Sequence, residues 1–275
     1  MKTTNLDLTY IIIQPGVSEK MERSGFVTES RIQSGLYYFF QKIVLTFAYF
    51  ILHIFTDLKI DGRENVKNIR GGPLIIIANH KSFLDPLIIG LCFPFFSKIY
   101  PLRFIAKDTF FKNPIGWIFY KSVGAFPACK GQGLAASLKI PSQILREGGA
   151  VMFFPEGIRI REDCLGQPKI GAAKLASHFP EVPIIPIAIS NTHKVGHFGL
   201  LYKRSRLRVK IGEPFDYKDK AFQLPAETGI KILMGEIEKS YKETPTCRFQ
   251  HPKNPSPIPS TLPKIFKRVF ITNRN

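Results

Sequence analysis

The stretch that decides the fold is Leu74-Ile75-Ile76-Ile77-Ala78, followed directly by Asn79-His80-Lys81-Ser82-Phe83-Leu84-Asp85. The apolar run predicts a strand, and the apolar segment that begins at Pro86 predicts a helix. A strand, a short polar turn and a helix form the unit with which an α/β protein presents side chains to a ligand, at the carboxyl end of its sheet. We therefore expect the turn to lie at such an edge.

The spacing of His80 and Asp85 suggests that the two side chains interact. Residues five apart on one continuous helix lie about 140° from each other and would not meet. They can meet if His80 lies in the turn and Asp85 in the first turn of the helix. Ser82 with Asp85 fits a capping box, or Asp85-Pro86 fits a cap followed by a first helical residue. In both cases a carboxylate near the helix N-terminus can orient an imidazole, although a purely structural histidine remains the alternative.

Strand and helix patterns alternate from residue 58 onward, without an internal repeat. This alternation predicts an α/β fold with a mostly parallel central sheet flanked by helices. The predicted strands are residues 74–78, 103–106, 124–127, 150–154, 184–189 and 207–211, and the predicted helices are residues 86–93, 110–121, 134–146 (with Pro141 inside), 172–179 and 228–241.

Residues 36–55 are the most apolar and aromatic segment of the chain. Twenty helical residues match a hydrocarbon core of about 30 Å, but Gln41, Lys42 and His53 interrupt the apolar run. We predict an N-terminal membrane-associated helix that dips into the bilayer or marginally crosses it, with a helix buried against the main domain as the alternative. The predicted organisation is a polar arm (1–35), an apolar helix (36–57), a catalytic domain (58–243) and a proline-rich basic tail (244–275).

The formal net charge of +18 indicates an anionic partner, such as an anionic membrane surface, an acidic substrate or carrier, or nucleic acid. No recognisable nucleic-acid reader motif is present, so we expect no nucleic-acid partner. The four cysteines are widely scattered and favour a reducing compartment without a zinc site or disulfide framework. The first 30 residues lack a secretory pattern. The basic and apolar residues 264–270 suit an anionic bilayer, or form a solvated tail.

Three further stretches follow predicted strands: residues 124–130, which end in Lys130, residues 153–159, which contain Glu156-Gly157-Ile158-Arg159, and the proline-bearing segment 182–189. With these the chain resembles the glycerolipid acyltransferases of the 1-acylglycerol-3-phosphate acyltransferase type. His80 and Asp85 match the family's His-x4-Asp motif, and residues 154–159 match its Phe-Pro-Glu-Gly-Thr-Arg motif. Lys130 closes the second motif, and residues 169–176 resemble the helix start between the last two motifs. The resemblance covers roughly residues 58–215.

The resemblance implies transfer of a fatty acyl group from an acyl thioester to the free hydroxyl of 1-acylglycerol 3-phosphate (lysophosphatidic acid), which gives phosphatidic acid. His80 would be the general base and Asp85 its orienting partner, without a covalent enzyme intermediate. Arg159 and Lys130 would bind the acceptor phosphate. Gly157 would permit a tight turn close to the ligand, and Glu156 would fix Arg159, contact the glycerol hydroxyl or support the turn.

Two residues depart from the family pattern, namely Lys130 in place of Arg and Ile158 in place of Thr. A lysine cannot grip phosphate with two parallel hydrogen bonds, so another lysolipid acceptor is the alternative within the family. A non-catalytic basic protein that binds lipid or nucleic acid is the alternative from another class. We expect neither a cofactor nor a metal ion. The expected acyl donor is acyl-CoA or acyl-acyl carrier protein. We also expect a membrane-associated protein whose active site faces the cytoplasm.

Overall fold

The computed structural model describes residues 31–128, 131, 133–162, 164–195, 205–221 and 223–242. The predicted arm before residue 31 and the predicted tail after residue 243 lie outside these residues. The helices and strands of the described residues, in chain order, are α1 (Arg31–Phe55), β1 (Thr56–Asp61), β2 (Leu74–Ala78), α2 (Asp85–Gly90), β3 (Arg103–Ala106), α3 (Pro114–Ser122), β4 (Ala125–Pro127), α4 (Gly133–Arg146), β5 (Ala150–Phe153), α5 (Gly171–His178), β6 (Pro183–Ser190), β7 (Ser205–Ile211), β8 (Phe215–Asp216), α6 (Tyr217–Ala221) and α7 (Ala226–Lys242).

The strands form one sheet in the order β1-β7-β6-β2-β5-β3-β4, and the short β8 pairs with β6. β6, β2, β5, β3 and β4 are mutually parallel. β7 runs antiparallel to β6, and β1 runs parallel to β7 at the sheet edge. The prediction of a mostly parallel α/β sheet is therefore confirmed.

β2 lies in the middle of the sheet and separates two apolar layers. Leu74, Ile76 and Ala78 point to one face, where they pack with residues of α1 and α2. Ile75 and Ile77 point to the other face, where they pack with residues of α4, α5 and α7. Since all five residues of β2 are buried, an uninterrupted apolar run was the sequence signature of this strand.

One face of α1 packs on the domain. Leu45 and Leu52 on this face are almost fully buried. The Gln41 amide nitrogen donates to the carbonyls of Leu102 (3.0 Å) and Val123 (2.7 Å), and its oxygen accepts from the Leu102 N–H at 2.8 Å. The buried Lys42 ammonium donates to the Phe95 carbonyl. The two polar groups nearest the middle of the helix therefore point into the protein.

The opposite face of α1 exposes large apolar side chains, namely Leu36, Phe39, Phe40, Ile43, Phe47, Tyr49, Phe50 and Ile54. The segment Gly35–Phe55 is long and apolar enough to cross a membrane, and only 22% of its most apolar window is buried inside the protein. The helix is therefore buried against the domain on one face only. By length and composition alone, the exposed face is a weak indication of membrane association.

Most observed helices and strands differ from the predicted ones by shifts at their ends. Three larger differences concern α1, β1 and α3. Residues 31–35, predicted as part of the arm, belong to α1. Residues 56 and 57 lie in β1, which the sequence analysis did not predict because the predicted apolar helix at 36–57 covered its first two residues. The predicted helix at 110–121 is a 3₁₀ turn (Asp108–Phe111) followed by α3, because Asn113 caps the helix and Pro114 begins it.

Candidate active site

The candidate site lies where β2, β5 and β6 end. These neighbouring strands are parallel, so their carboxyl ends meet at one edge of the sheet. His80 follows β2, Glu156 follows β5 and Thr192 follows β6. The topology therefore brings together side chains from three distant parts of the chain. The turn at 79–85 lies at the carboxyl edge of the sheet, as predicted.

His80 and Asp85 are in direct contact. The Nδ1 atom of His80 lies 2.8 Å from Oδ2 of Asp85. His80 lies in the turn and Asp85 begins α2, which is the arrangement that their spacing required. When Nδ1 donates its hydrogen to the carboxylate, the lone pair of the neutral imidazole lies on Nε2, and the ring can then accept a proton from a substrate.

Asp85 is fully buried and accepts four hydrogen bonds. Its Oδ2 atom accepts from the backbone N–H groups of Lys81 (2.6 Å) and Ser82 (2.7 Å) and from His80, and its Oδ1 atom accepts from the Thr192 hydroxyl at 2.7 Å. Only an acceptor with two oxygens can satisfy so many donors in one place. Asp85 thus fixes the backbone of the turn as well as the imidazole.

The capping box predicted for Ser82 and Asp85 is only half formed. Asp85 accepts from the Ser82 N–H, but the Ser82 hydroxyl accepts from the Leu84 N–H at 3.3 Å rather than from Asp85. Asp85 is itself the first residue of α2, with Pro86 next to it, so the alternative of Asp85 as the cap is also wrong by one residue. The carboxylate of Asp85 therefore accepts hydrogen bonds from the His80 ring and from the backbone of the turn, and it does not cap the helix.

The imidazole is held from its face by Phe154. The two rings stack with centroids 4.1 Å apart and planes inclined by 21°. The His80 side chain keeps 19% of its surface exposed. Stacking on one face and a hydrogen bond at Nδ1 leave an accessible edge for substrate.

Glu156 is buried and holds backbone rather than facing solvent. Its Oε2 atom accepts from the His80 N–H at 3.3 Å, and its Oε1 atom accepts from the Gly166 N–H at 3.2 Å. Burial raises the pKa of Glu156 from 4.5 to about 7, and these two hydrogen bonds oppose the increase only in part. Of the three roles considered for Glu156, this geometry favours support of the turn.

Arg159 lies over the turn that carries His80. Its guanidinium carbon is 3.5 Å from the centroid of the Phe83 ring, and the next residue, Ile160, donates its N–H to the His80 carbonyl at 2.8 Å. Gly157 has φ +67°, a conformation that L side chains rarely adopt, so a glycine suits this turn. Lys130 lies outside the described residues, and its position relative to Arg159 stays a prediction.

Residues 57–190 match the protein family described as acyltransferase. A "Probable 1-acyl-sn-glycerol-3-phosphate acyltransferase" from Mycoplasma pneumoniae is 37% identical over 152 residues, which are 52% of this chain and 52% of that protein. The 1-acyl-sn-glycerol-3-phosphate acyltransferase of Bacillus subtilis is 28% identical over 196 residues, which are 70% of this chain and 90% of that protein. The chain is therefore similar to this acyltransferase family over residues 57–190. It spans about half the length of the first of these two relatives.

The crystal structure of the 1-acyl-sn-glycerophosphate (LPA) acyltransferase from Thermotoga maritima has the same fold. The TM-score is 0.56 at 22% sequence identity, and the match covers 86% of this chain and 93% of that chain. At this identity the likeness supports the acyltransferase fold alone.

Three residues of the candidate site were given no role in the sequence analysis. Asn79 is buried and exchanges two hydrogen bonds with the backbone of Ile189, which locks the end of β2 to β6. Thr192 binds Asp85, and the buried Lys81 ammonium donates to the carbonyls of Glu162 (2.5 Å) and Cys164 (2.6 Å). The one available signal was that Thr192 lies just after a strand that neighbours β2. This signal can be used only when the order of the strands in the sheet is known.

Proposed function

We propose that this protein is an O-acyltransferase that moves a fatty acyl group from an acyl thioester to the free hydroxyl of 1-acylglycerol 3-phosphate and so produces phosphatidic acid. The observation that carries the proposal is the 2.8 Å contact between His80 and Asp85 at the carboxyl edge of the sheet. The curated names of the Mycoplasma and Bacillus relatives support the same activity.

In this proposal His80 is the general base. The acceptor hydroxyl gives its proton to Nε2 as its oxygen attacks the thioester carbonyl, and Asp85 stabilises the imidazolium that forms. The carbon–sulfur bond then breaks, and the thiolate takes the proton to leave as the free thiol. Since the substrate hydroxyl is the nucleophile, an acyl-enzyme intermediate is not needed.

Arg159 is the proposed ligand of the acceptor phosphate, with Lys130 as its partner. A guanidinium offers two parallel N–H groups to phosphate, which a lysine ammonium does not. Ile158 is 62% exposed beside Arg159, where the family usually has a threonine, so a polar contact to the head group is missing there. This residue is the reason to keep another lysolipid as the alternative acceptor.

The donor in this proposal is acyl-CoA or acyl-acyl carrier protein, and no cofactor takes part. We further propose that α1 lies on an anionic membrane with its exposed apolar face in the lipid, and that the active site faces the cytoplasm. The exposed Ile115, Ile118 and Phe119 on the neighbouring α3 extend the apolar surface. The net charge of +18 suits the anionic surface.

The test is an acyl-transfer assay that crosses the two donors with three acceptors: lysophosphatidic acid, monoacylglycerol and lysophosphatidylcholine. We expect lysophosphatidic acid to be the best acceptor, and we expect His80→Ala to abolish transfer while the thermal unfolding temperature stays near that of the parent. Near-normal turnover by His80→Ala would refute the mechanism. A preference for lysophosphatidylcholine or monoacylglycerol would instead support the alternative acceptor.

Arg159→Ala tests the phosphate contact. Loss of a charge-assisted hydrogen bond of about 1.5–3 kcal/mol should raise the KM for lysophosphatidic acid roughly 10- to 100-fold. Monoacylglycerol, which has no phosphate, is the control acceptor and should be little affected. Lys130→Arg should keep or improve the affinity for lysophosphatidic acid.

A further inference from the structure

The Arg159 guanidinium lies face-on against an aromatic ring. Its central carbon is 3.5 Å from the centroid of Phe83, and 54% of the surface of Phe83 is exposed. An apolar side chain that is so exposed contributes little to the core, so its packing alone does not explain its place. The cation that contacts its ring is the arginine to which the proposed function gives the acceptor phosphate.

A face-on stack suits a residue that must bind phosphate. The cation is attracted to the negative face of the ring, and this attraction restricts the orientation of the guanidinium. The five N–H groups of arginine lie in the guanidinium plane, so the stack occupies the face of the group and leaves its N–H edge available. A salt bridge to a carboxylate would hold the arginine equally well but would use the donors that phosphate needs.

The Phe83 ring is itself held by other aromatic side chains. It contacts Phe110 edge-on with centroids 5.9 Å apart, and Phe110 stacks on Tyr120 of α3 at 4.6 Å with planes inclined by 10°. A ring fixed by a neighbouring ring can orient a flexible arginine at a small entropic cost. The same turn carries Phe83 and His80, so the stack also fixes the arginine relative to the base.

We propose that Phe83 is a positioning residue, which holds Arg159 flat on its ring so that the N–H edge of the guanidinium faces the phosphate of the acceptor. The inference rests on the proposed function and adds to it a residue that does not touch the substrate. It implies that Phe83 affects acceptor binding only through Arg159, and only when the acceptor carries a phosphate.

The test is a double-mutant cycle of Phe83→Leu and Arg159→Ala on the full-length protein, with KM and kcat measured for lysophosphatidic acid and for monoacylglycerol. Cation–π attraction at a partly exposed site corresponds to roughly a 3- to 10-fold effect. Phe83→Leu should therefore raise the KM for lysophosphatidic acid by about that factor at a nearly unchanged kcat. It should have no further effect when Arg159 is already alanine, and Phe83→Tyr, which keeps the ring face, should behave as the parent.

Phe96→Leu is the matched control, because Phe96 is another exposed phenylalanine and its ring contacts that of Phe95. It should leave both kinetic constants unchanged. An equal effect of Phe83→Leu in both Arg159 backgrounds, or an equal loss with monoacylglycerol, would overturn the inference and leave the proposed function intact. An unchanged KM in Arg159→Ala alone would overturn the inference together with the proposed phosphate contact, while the proposed acyl transfer by His80 would stand.

Discussion

At the residue scale, Asp85 combines two tasks that are usually separate. It orients the imidazole of His80, and it also closes the turn by accepting two backbone N–H groups and the Thr192 hydroxyl. A change at Asp85 therefore affects chemistry and stability together. Thr192, which contacts Asp85 but not the base, allows the two effects to be separated.

We expect Asp85→Asn to lower kcat by several orders of magnitude and also to lower the free energy of unfolding, because an amide nitrogen would face buried donors. Thr192→Val should cost about 1–3 kcal/mol of stability with a much smaller loss of kcat, since His80 keeps its partner. Urea unfolding and steady-state kinetics on both variants measure this difference. A kcat for Thr192→Val as low as that of Asp85→Asn would show that the hydroxyl acts in catalysis.

Glu156 should make the stability of the protein depend on pH. The pKa of Glu156 is 4.5 in an ordinary environment and about 7 in the folded protein, so between these values the folded state holds a proton that the unfolded chain has lost. The free energy of unfolding should consequently fall as the pH rises from about 4.5 to 7, by on the order of 3 kcal/mol in total. Glu156→Gln should lack this contribution.

Urea unfolding of the parent and of Glu156→Gln at several pH values between 5 and 8 measures the effect. The stability of the variant relative to the parent should increase with pH and level off above about 7. Parallel stability curves for the two proteins would show that the carboxyl group is already ionised in the folded state at pH 5.

The sequence predicted the His80–Asp85 pair because the two residues are only five positions apart and local geometry decides whether their side chains meet. It did not predict Thr192, which is 107 positions from Asp85, because that contact depends on which strands are neighbours. The burial of Glu156 was missed for a similar reason. The partner of its Oε1 atom is a backbone N–H, that of Gly166, and a backbone group leaves no sign in the sequence.

At the scale of single elements, α1 has two faces with different tasks. Gln41 satisfies backbone groups at the ends of β3 and α3, whereas Phe47 and Phe50 are 67% and 58% exposed. A deletion of residues 1–56 would be the simplest test of membrane association by this helix. The structure argues against this truncation, because it would remove Leu45 and Leu52 from the core and leave Leu102 without its amide partner.

Substitutions on the exposed face provide a sharper test of membrane association. Phe47→Ser combined with Phe50→Ser should weaken binding to lipid vesicles at least about 10-fold, because each phenylalanine loses up to roughly 2 kcal/mol of transfer into lipid. Thermal stability should change little. Thr46→Ser with His53→Ser is the matched control, since it changes two exposed polar positions on the same helix. Equal vesicle binding by the two double variants would exclude this face as the membrane contact.

The elements that the sequence predicted well have patterns that their own residues decide. β2 is an unbroken apolar run, and α7 has apolar residues at helical spacing that pack on the sheet. β1 was missed, although Leu58 and Ile60 alternate with charged residues as in a strand, because the predicted helix at 36–57 covered its first two residues. Its status as a strand depends on β7, with which it pairs residue for residue.

At the scale of the whole molecule, the charge of +18 should make membrane binding sensitive to salt. We expect tighter binding to vesicles that contain anionic phospholipid than to vesicles of phosphatidylcholine alone, since each Lys or Arg near an anionic surface contributes about 1 kcal/mol. The difference should shrink as salt rises from about 0.1 to 1 M, because the Debye length falls from about 10 to 3 Å. Vesicle co-sedimentation measures it, and a salt-independent difference would contradict an electrostatic origin.

The position of β1 at the sheet edge also has a consequence for how the chain is made. β1 follows α1 directly and pairs with β7, whose first residue, Ser205, lies opposite Thr56. During synthesis on a ribosome, the strand that emerges first therefore waits until almost the whole domain has been translated before its partner exists. Through that interval its edge is open and the adjoining apolar helix is only partly covered. A helix that binds lipid as soon as it emerges would protect the nascent chain from aggregation until the last long strand closes the sheet.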